Sequence, residues 1–252
     1  MLDSNNYIRN ILAEKSARPI EMQDHRIQYL LQVLYEWGGL NLTEIKLIGA
    51  GEKRTSVKGV SDADLFVSVD SDTEGSIKTI FASLNSFLRY KRIETKIQFN
   101  SIRVVQNGLL LDIIPGKIST EYQFYHTLYF ARRDTQADTN VDLHVNIVRE
   151  SKLQNEIKTT KIWRDNNNLV FPSFYLELIV IEALRHRRTG HISDDFFSVL
   201  RFLKDEFLNR AVFDPTNAMN IVSSDINSAE KMAIAQTAAN SCQHPYWEDI
   251  LW

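Results

Sequence analysis

The sequence predicts an α+β lobe followed by a helical lobe. Three observations predict it. Helical apolar spacing gives way to strand-like runs after Trp37, short strand candidates cluster between 44 and 130, and helical spacing returns from about Asp142. We place the two lobes at 1–137 and 138–252, dividing them within the polar stretch 133–141, which carries neither proline nor glycine.

Each element has its own signal. Residues 7–16 read as a short helix and 20–37 as a longer one, in which Ile27, Leu30, Leu31, Leu34 and Tyr35 share a face and Gly38-Gly39 ends the run. Both helices are expected to pack across the two lobes. Residues 44–48 form a strand candidate, followed by the turn Gly49-Ala50-Gly51-Glu52-Lys53-Arg54-Thr55 and a strand over 62–69. Residues 73–90 carry Ile77, Ile80, Phe81, Leu84, Phe87 and Leu88 on one helical face. Strand candidates at 93–99, 102–105 and 109–114 follow, and the last two flank Asn107-Gly108, a strong hairpin signal. Residues 122–130 add a further strand. A helix over 150–165 ends at Asn166-Asn167-Asn168, Pro172 opens a helix over 173–188, and Ser193 can cap one running to about Asn209. Asp214-Pro215 marks a loop, and Asp225 or Ser228 starts a last helix to about Ala239.

Composition narrows the function classes. The 252 residues suffice for a sizeable core, and the apolar and charged fractions are those of a globular protein. A formal net charge of −3 argues against a dedicated nucleic-acid binder, which carries a basic surplus. The single Cys242 rules out an intramolecular disulfide and a cysteine-rich zinc site, and points to the cytoplasm. No apolar run approaches the roughly 18 residues of a membrane span, so no membrane partner is expected.

Three aspartates carry the chemistry. Asp62 and Asp64 open an apolar strand, Asp62-Ala63-Asp64-Leu65-Phe66-Val67, and alternation points both to one face. Asp112 lies inside Leu109-Leu110-Leu111-Asp112-Ile113-Ile114-Pro115, on the return strand of the hairpin. A carboxylate inside a strand is costly without a partner. If Asp112 comes from a neighbouring strand, three like charges converge, and a divalent metal would neutralise them.

The ordered set resembles the DNA-polymerase-β-like nucleotidyltransferases. It runs from the glycine-containing turn with its threonine through Asp62-Ala63-Asp64, a helix and Leu111-Asp112-Ile113-Ile114-Pro115 to Lys161-Ile162-Trp163 and Pro172-Ser173-Phe174-Tyr175-Leu176-Glu177. Within that superfamily the chain is most similar to the oligoadenylate-synthetase and bacterial cyclic-oligonucleotide-synthase branch. Asp214-Pro215-Thr216-Asn217, with Asn220 after it, resembles a loop near the end of these cores. The resemblance implies a mixed sheet flanked by helices, a helical lobe, and a cleft between them. It implies two magnesium ions, with manganese as a substitute, held by Asp62, Asp64 and Asp112. It also implies transfer of a nucleotide from ATP or another NTP or dNTP to a hydroxyl, with release of pyrophosphate. The turn with Gly49, Ala50, Arg54 and Thr55 would follow the triphosphate, Lys161 would reach its distal phosphates, Ser173 would hydrogen-bond the tail, and Phe174 would stack on the base. The product would be a short linear or cyclic oligonucleotide second messenger in prokaryotic antiviral defence, passed to an effector protein.

The sequence departs from the pattern at the turn, where Ala50 replaces a usual serine and Arg54 a common glycine. Plainer readings stand beside the catalytic one. Asp62 and Asp64 could cap a turn, Asp112 could face solvent, Lys161 could be a surface lysine, Ser173 an ordinary first-turn residue and Phe174 a core aromatic. Arg132-Arg133 could line the cleft or be a solvated pair, and His126, His144 and His191 read as structural. Three other functions are open: nucleotide transfer to tRNA 3′ ends, transfer to a small molecule such as an aminoglycoside, and nucleotide binding without turnover. The small-molecule reading would want extra carboxylates, for which Glu177, Glu182, Asp194 and Asp195 are candidates.

Overall fold

The structure is a computed structural model that describes residues 3–18, 20–59 and 63–252. Asp62 therefore lies outside the described residues.

Helix α1 (Ser4–Glu14) is followed by α2 (Gln28–Gly38). The sequence predicts a start near residue 20 for the second, but Asp24 intervenes. Its carboxylate accepts from the Arg26 backbone N–H at 2.9 Å and from the Arg26 guanidinium at 2.6 Å, closing a local turn that competes with helix. The two helices go different ways. Ile8 of α1 is buried in the helical region, and Tyr7 donates to the Leu251 carbonyl at 2.8 Å. Leu30, Leu31, Val33 and Leu34 of α2 pack instead against the sheet.

Among the described residues seven strands form one mixed sheet. They are β1 (Leu42–Ile48), β2 (Ala63–Val69), β3 (Thr95–Ile97), β4 (Ile102–Gln106), β5 (Leu109–Ile118), β6 (His126–Phe130) and β7 (Thr135–Thr139). The order β1-β2-β5-β4-β3 carries β6 and β7 off β5, and β2 runs parallel to β5 while the other pairs are antiparallel. Between β2 and the hairpin lies α3 (Ile77–Tyr90), capped by Ser76, whose hydroxyl accepts from the Thr79 N–H at 3.2 Å. Asn107 and Gly108 have φ of 48° and 77°, as a tight two-residue hairpin turn requires.

The second half is helical: α4 (Val141–Glu150), α5 (Gln154–Asn166), α6 (Ser173–Leu184), α7 (Ile192–Asp205) and α8 (Ser228–Ser241). Pro172 stands at the N-cap of α6, and Asn227 and Glu230 form a reciprocal capping box at the start of α8. A short hairpin, β8 (Phe213–Asp214) with β9 (Asn217–Ile221), replaces the loop expected at Asp214-Pro215. Trp163, Tyr175, Phe196 and Phe207 are fully buried in the helical core. The fold is α+β: a mixed sheet with helices, then a helical region. No helix among the described residues is long and apolar enough to cross a membrane.

Candidate active site

The parallel pairing of β2 with β5 sets the centre of the site. Asp64 and Asp112 are Cα partners across that pairing, so both carboxylates leave the sheet at the same level. Both line a cleft of about 990 Å³ walled by the sheet, the turn after β1, α5, α6 and β9. Asp62 was predicted to join them; among the described residues no group of three His, Cys, Asp or Glu side chains could hold a metal.

Gly49 follows β1 and lies beside Asp64. Its φ is 74°, and a β-carbon there would lie 1.7 Å from Asp64 Oδ2, so glycine is required on both counts. Asp112 has a cationic neighbour that sequence reasoning missed. Arg103 is its Cα partner on β4, and the guanidinium grips both carboxylate oxygens, Nε to Oδ1 at 2.9 Å and Nη2 to Oδ2 at 2.9 Å. The signal was present in the hairpin: residues equally spaced about Asn107-Gly108 become cross-strand neighbours.

The turn after Gly49 closes on itself. The Lys53, Arg54 and Thr55 amides donate to the Gly49, Gly51 and Ala50 carbonyls. Ala50 is buried, and Arg54 is exposed with a φ of 59°. Thr55 is fully buried and meets the helical half: its hydroxyl lies 2.9 Å from Lys161 Nζ and 3.2 Å from Glu177 Oε1. Glu177 also takes Lys161 Nζ at 2.7 Å and Lys53 Nζ at 2.8 Å. Burial alone would raise the Glu177 pKa, but the two ammonium groups outweigh it and hold the carboxyl at about 2. Lys161 is thus buried in a four-residue lock joining the turn to α5 and α6. Of the other acidic candidates, Glu182 pairs with Arg185 and Arg210, Asp195 accepts the Thr189 and Gly190 amides, and Asp194 is exposed on α7.

Ser173 is exposed at the start of α6, where its hydroxyl accepts from Arg164 at 3.1 Å. Phe174 is half-buried; Lys53 Nζ sits 4.8 Å from its ring centroid, and the His144 ring stacks on it at 4.1 Å. His144 in turn meets Asp214 at 2.7 Å, and Asp214 also accepts from Thr139, Thr216 and Asn220. Burial opposes ionisation of Asp214, but these bonds, that to His144 foremost, hold its pKa at about 2. Neither His144 nor Asp214 stood out as a cleft residue in the sequence, because they are 70 positions apart. Arg132 and Arg133 reach the helical half, Arg132 to Glu230 at 2.6 Å and Arg133 to Asn220 at 3.1 Å and Ser224 at 2.9 Å.

No family model and no curated protein matches the sequence. Solved structures do match the fold. Against CdnC of Escherichia coli MS115-1 with ATP the TM-score is 0.76 at 18% identity, covering 98% of this chain and 96% of that one. Against the CdnE cyclic dinucleotide synthase of Elizabethkingia meningoseptica with GTP and Apcpp it is 0.70 at 16%, covering 96% and 100%. A Cid1 poly(U) polymerase mutant bound to MgATP gives 0.64 at 13%, covering 97% of each chain. At these identities the likeness speaks to architecture alone, and it spans nearly the whole chain: the protein has the CD-NTase fold, a mixed sheet with helices followed by a helical region.

Proposed function

We propose that this chain is a metal-dependent nucleotidyltransferase that joins nucleoside triphosphates into a short linear or cyclic oligonucleotide and releases pyrophosphate. The observation that carries the reading is the level pairing of Asp64 with Asp112 on adjacent parallel strands, at the floor of a cleft between sheet and helices. The donor set fits a hard divalent cation: carboxylate oxygens from two strands, with Gly49 giving the Asp64 carboxylate the space that a β-carbon would take. Asp64 and Asp112, with Asp62, would hold magnesium or manganese. Two such ions would supply charge stabilisation for the entering and leaving oxygens.

The chain's own residues do the rest. Asp112 accepts the proton of the attacking hydroxyl. The turn from Gly49 to Thr55 would lie along the triphosphate, with Ala50 lining the cleft and the exposed Arg54 offering a cation beside it. Lys161 and Lys53 face the single carboxylate of Glu177, a positive field behind the phosphate site that the burial of Lys161 weakens by lowering its pKa. Lys161 acts through that field and through the Thr55 hydroxyl it fixes. Ser173 and Arg164 meet the phosphate tail at the start of α6. Phe174, backed by His144, offers a ring edge or face to the base.

The lobes 1–137 and 138–252 would close on the nucleotides from opposite sides, with α1 riding on the second. A cytoplasmic setting accords with the single cysteine. CdnC of E. coli MS115-1 is also seen in complex with HORMA-deltaN. By analogy, a regulatory partner and an effector that takes the product belong to this reading, as does a role in antiviral defence.

The test is incubation of the purified protein with each NTP and dNTP, with magnesium or manganese, and identification of products by mass spectrometry. Short oligonucleotides with pyrophosphate support the reading. Product only when tRNA or an aminoglycoside is added would replace the acceptor. Nucleotide binding without pyrophosphate from any mixture would replace catalysis by a binding role.

A further inference from the structure

Arg103 and Asp112 raise a question that the proposed chemistry does not answer. Asp112 must offer its carboxylate to a cation, yet a cation already grips both of its oxygens, at 2.9 Å and 2.9 Å. The grip is the two-point fork that guanidinium makes with carboxylate, and guanidinium does not lose its proton in proteins. Both side chains line the cleft, and neither is deeply buried: the Arg103 side chain is 30% exposed and that of Asp112 13%.

We propose that Arg103 is a built-in counter-cation for Asp112, which a divalent cation displaces when the site loads. The inference rests on the reading of Asp64 and Asp112 as metal ligands. Three features support it. Arg103 stands directly across the antiparallel β4–β5 pairing from Asp112, so its position is fixed by the backbone. The fork holds Asp112 in one rotamer beside Asp64, so that the strand carries a neutralised carboxylate before any metal arrives. A guanidinium and a divalent ion on one carboxylate repel each other strongly at such range, and the exposed fraction of Arg103 gives it a route toward solvent. Arg103 is thus a positioning residue that also sets the threshold of metal binding.

The test reads metal binding and stability, not turnover. Mn²⁺ alone is titrated into the wild-type protein, Arg103→Gln and Asp64→Asn, with free Mn²⁺ followed by electron paramagnetic resonance. Melting temperatures are taken without metal and at saturating Mn²⁺. We expect Arg103→Gln to bind Mn²⁺ about tenfold more tightly than the wild type. It should melt lower without metal, with the gap closing at saturation. Arg103→Lys keeps the charge but gives up the fork, and should show a smaller gain of about threefold; it is the variant to read if the glutamine form does not fold. Unchanged or weaker Mn²⁺ binding in the variants, with wild-type binding abolished by Asp64→Asn, would overturn displacement while leaving the metal site standing. Mn²⁺ binding indifferent to Asp64→Asn would remove the metal-site reading, and the counter-cation role with it.

Discussion

A β-carbon on Gly49 would lie 1.7 Å from Oδ2 of Asp64, so the end of β1 and the start of β2 meet at a spot where only a hydrogen fits. Gly49→Ala forces Asp64 off its position and places alanine at a φ of 74°. We predict a stability loss of about 1–2 kcal/mol from the backbone alone. The displacement of Asp64 should lower turnover about 100-fold, since misplacement by an ångström has effects of that order. Urea denaturation and steady-state pyrophosphate release measure the two effects separately.

The lock around Glu177 gives a second prediction. Lys53, Lys161 and Thr55 all bond to this one buried carboxylate. Glu177→Gln leaves two ammonium groups out of water with no counter-charge. Breaking a buried pair in this way costs about 3–5 kcal/mol. Urea unfolding should show that loss, and Glu177→Asp, which keeps the charge, should recover part of it.

Asp225 gives a pH signature. Burial pushes its carboxyl up to about 7, with Arg133 and Arg132 opposing, against an ordinary value of 3.8. Between those values the folded protein holds a proton that the unfolded chain has released. Stability from this group is therefore full at acid pH, falls as pH rises from about 4 to about 7, and is level above that. Asp225→Asn removes the titration. Relative to the wild type, the variant should gain about 2 kcal/mol in unfolding free energy between pH 5 and pH 8. Equal pH profiles for the two proteins would show that Asp225 ionises normally.

Much of the fold was legible because local signals and tertiary packing agreed. Asn107-Gly108 announced the hairpin that carries Asp112, and the apolar stripe of α3 was read from Ile77 to Leu88. The errors have local causes. Asp24 turns ahead of α2 and Asp70 ahead of α3, where its carboxylate takes the Asp72 N–H at 2.9 Å, delayed both helices. Strand β7 was read as a polar boundary because its residues, Thr135 to Thr139, earn their place through side-chain bonds such as Thr127 to Asp138. The helix expected from residue 150 begins only at Gln154, since Lys152 takes a φ of 56°.

In the site, local sequence named Asp64 and Asp112, while the partners around them went unread. Arg103 is nine positions from Asp112, and Glu177 is 124 from Lys53. The first pairing follows from the register about Asn107-Gly108 and was there to be read, whereas the second depends on helix docking, which no short motif encodes. Lys161 shows the same limit: its motif was read as a phosphate contact, and the fold surrounds its ammonium with Glu177 and Thr55.

The central claim is that Asp64 and Asp112 act together in metal-dependent nucleotidyl transfer. Its most direct test is pyrophosphate release from a mixture of NTPs with magnesium, compared among the wild type, Asp64→Asn and Asp112→Asn, all confirmed as folded by circular dichroism. The account predicts release by the wild type that falls at least about 100-fold in each variant and stops when the metal is chelated. Release that survives both substitutions, or is indifferent to chelation, would contradict it.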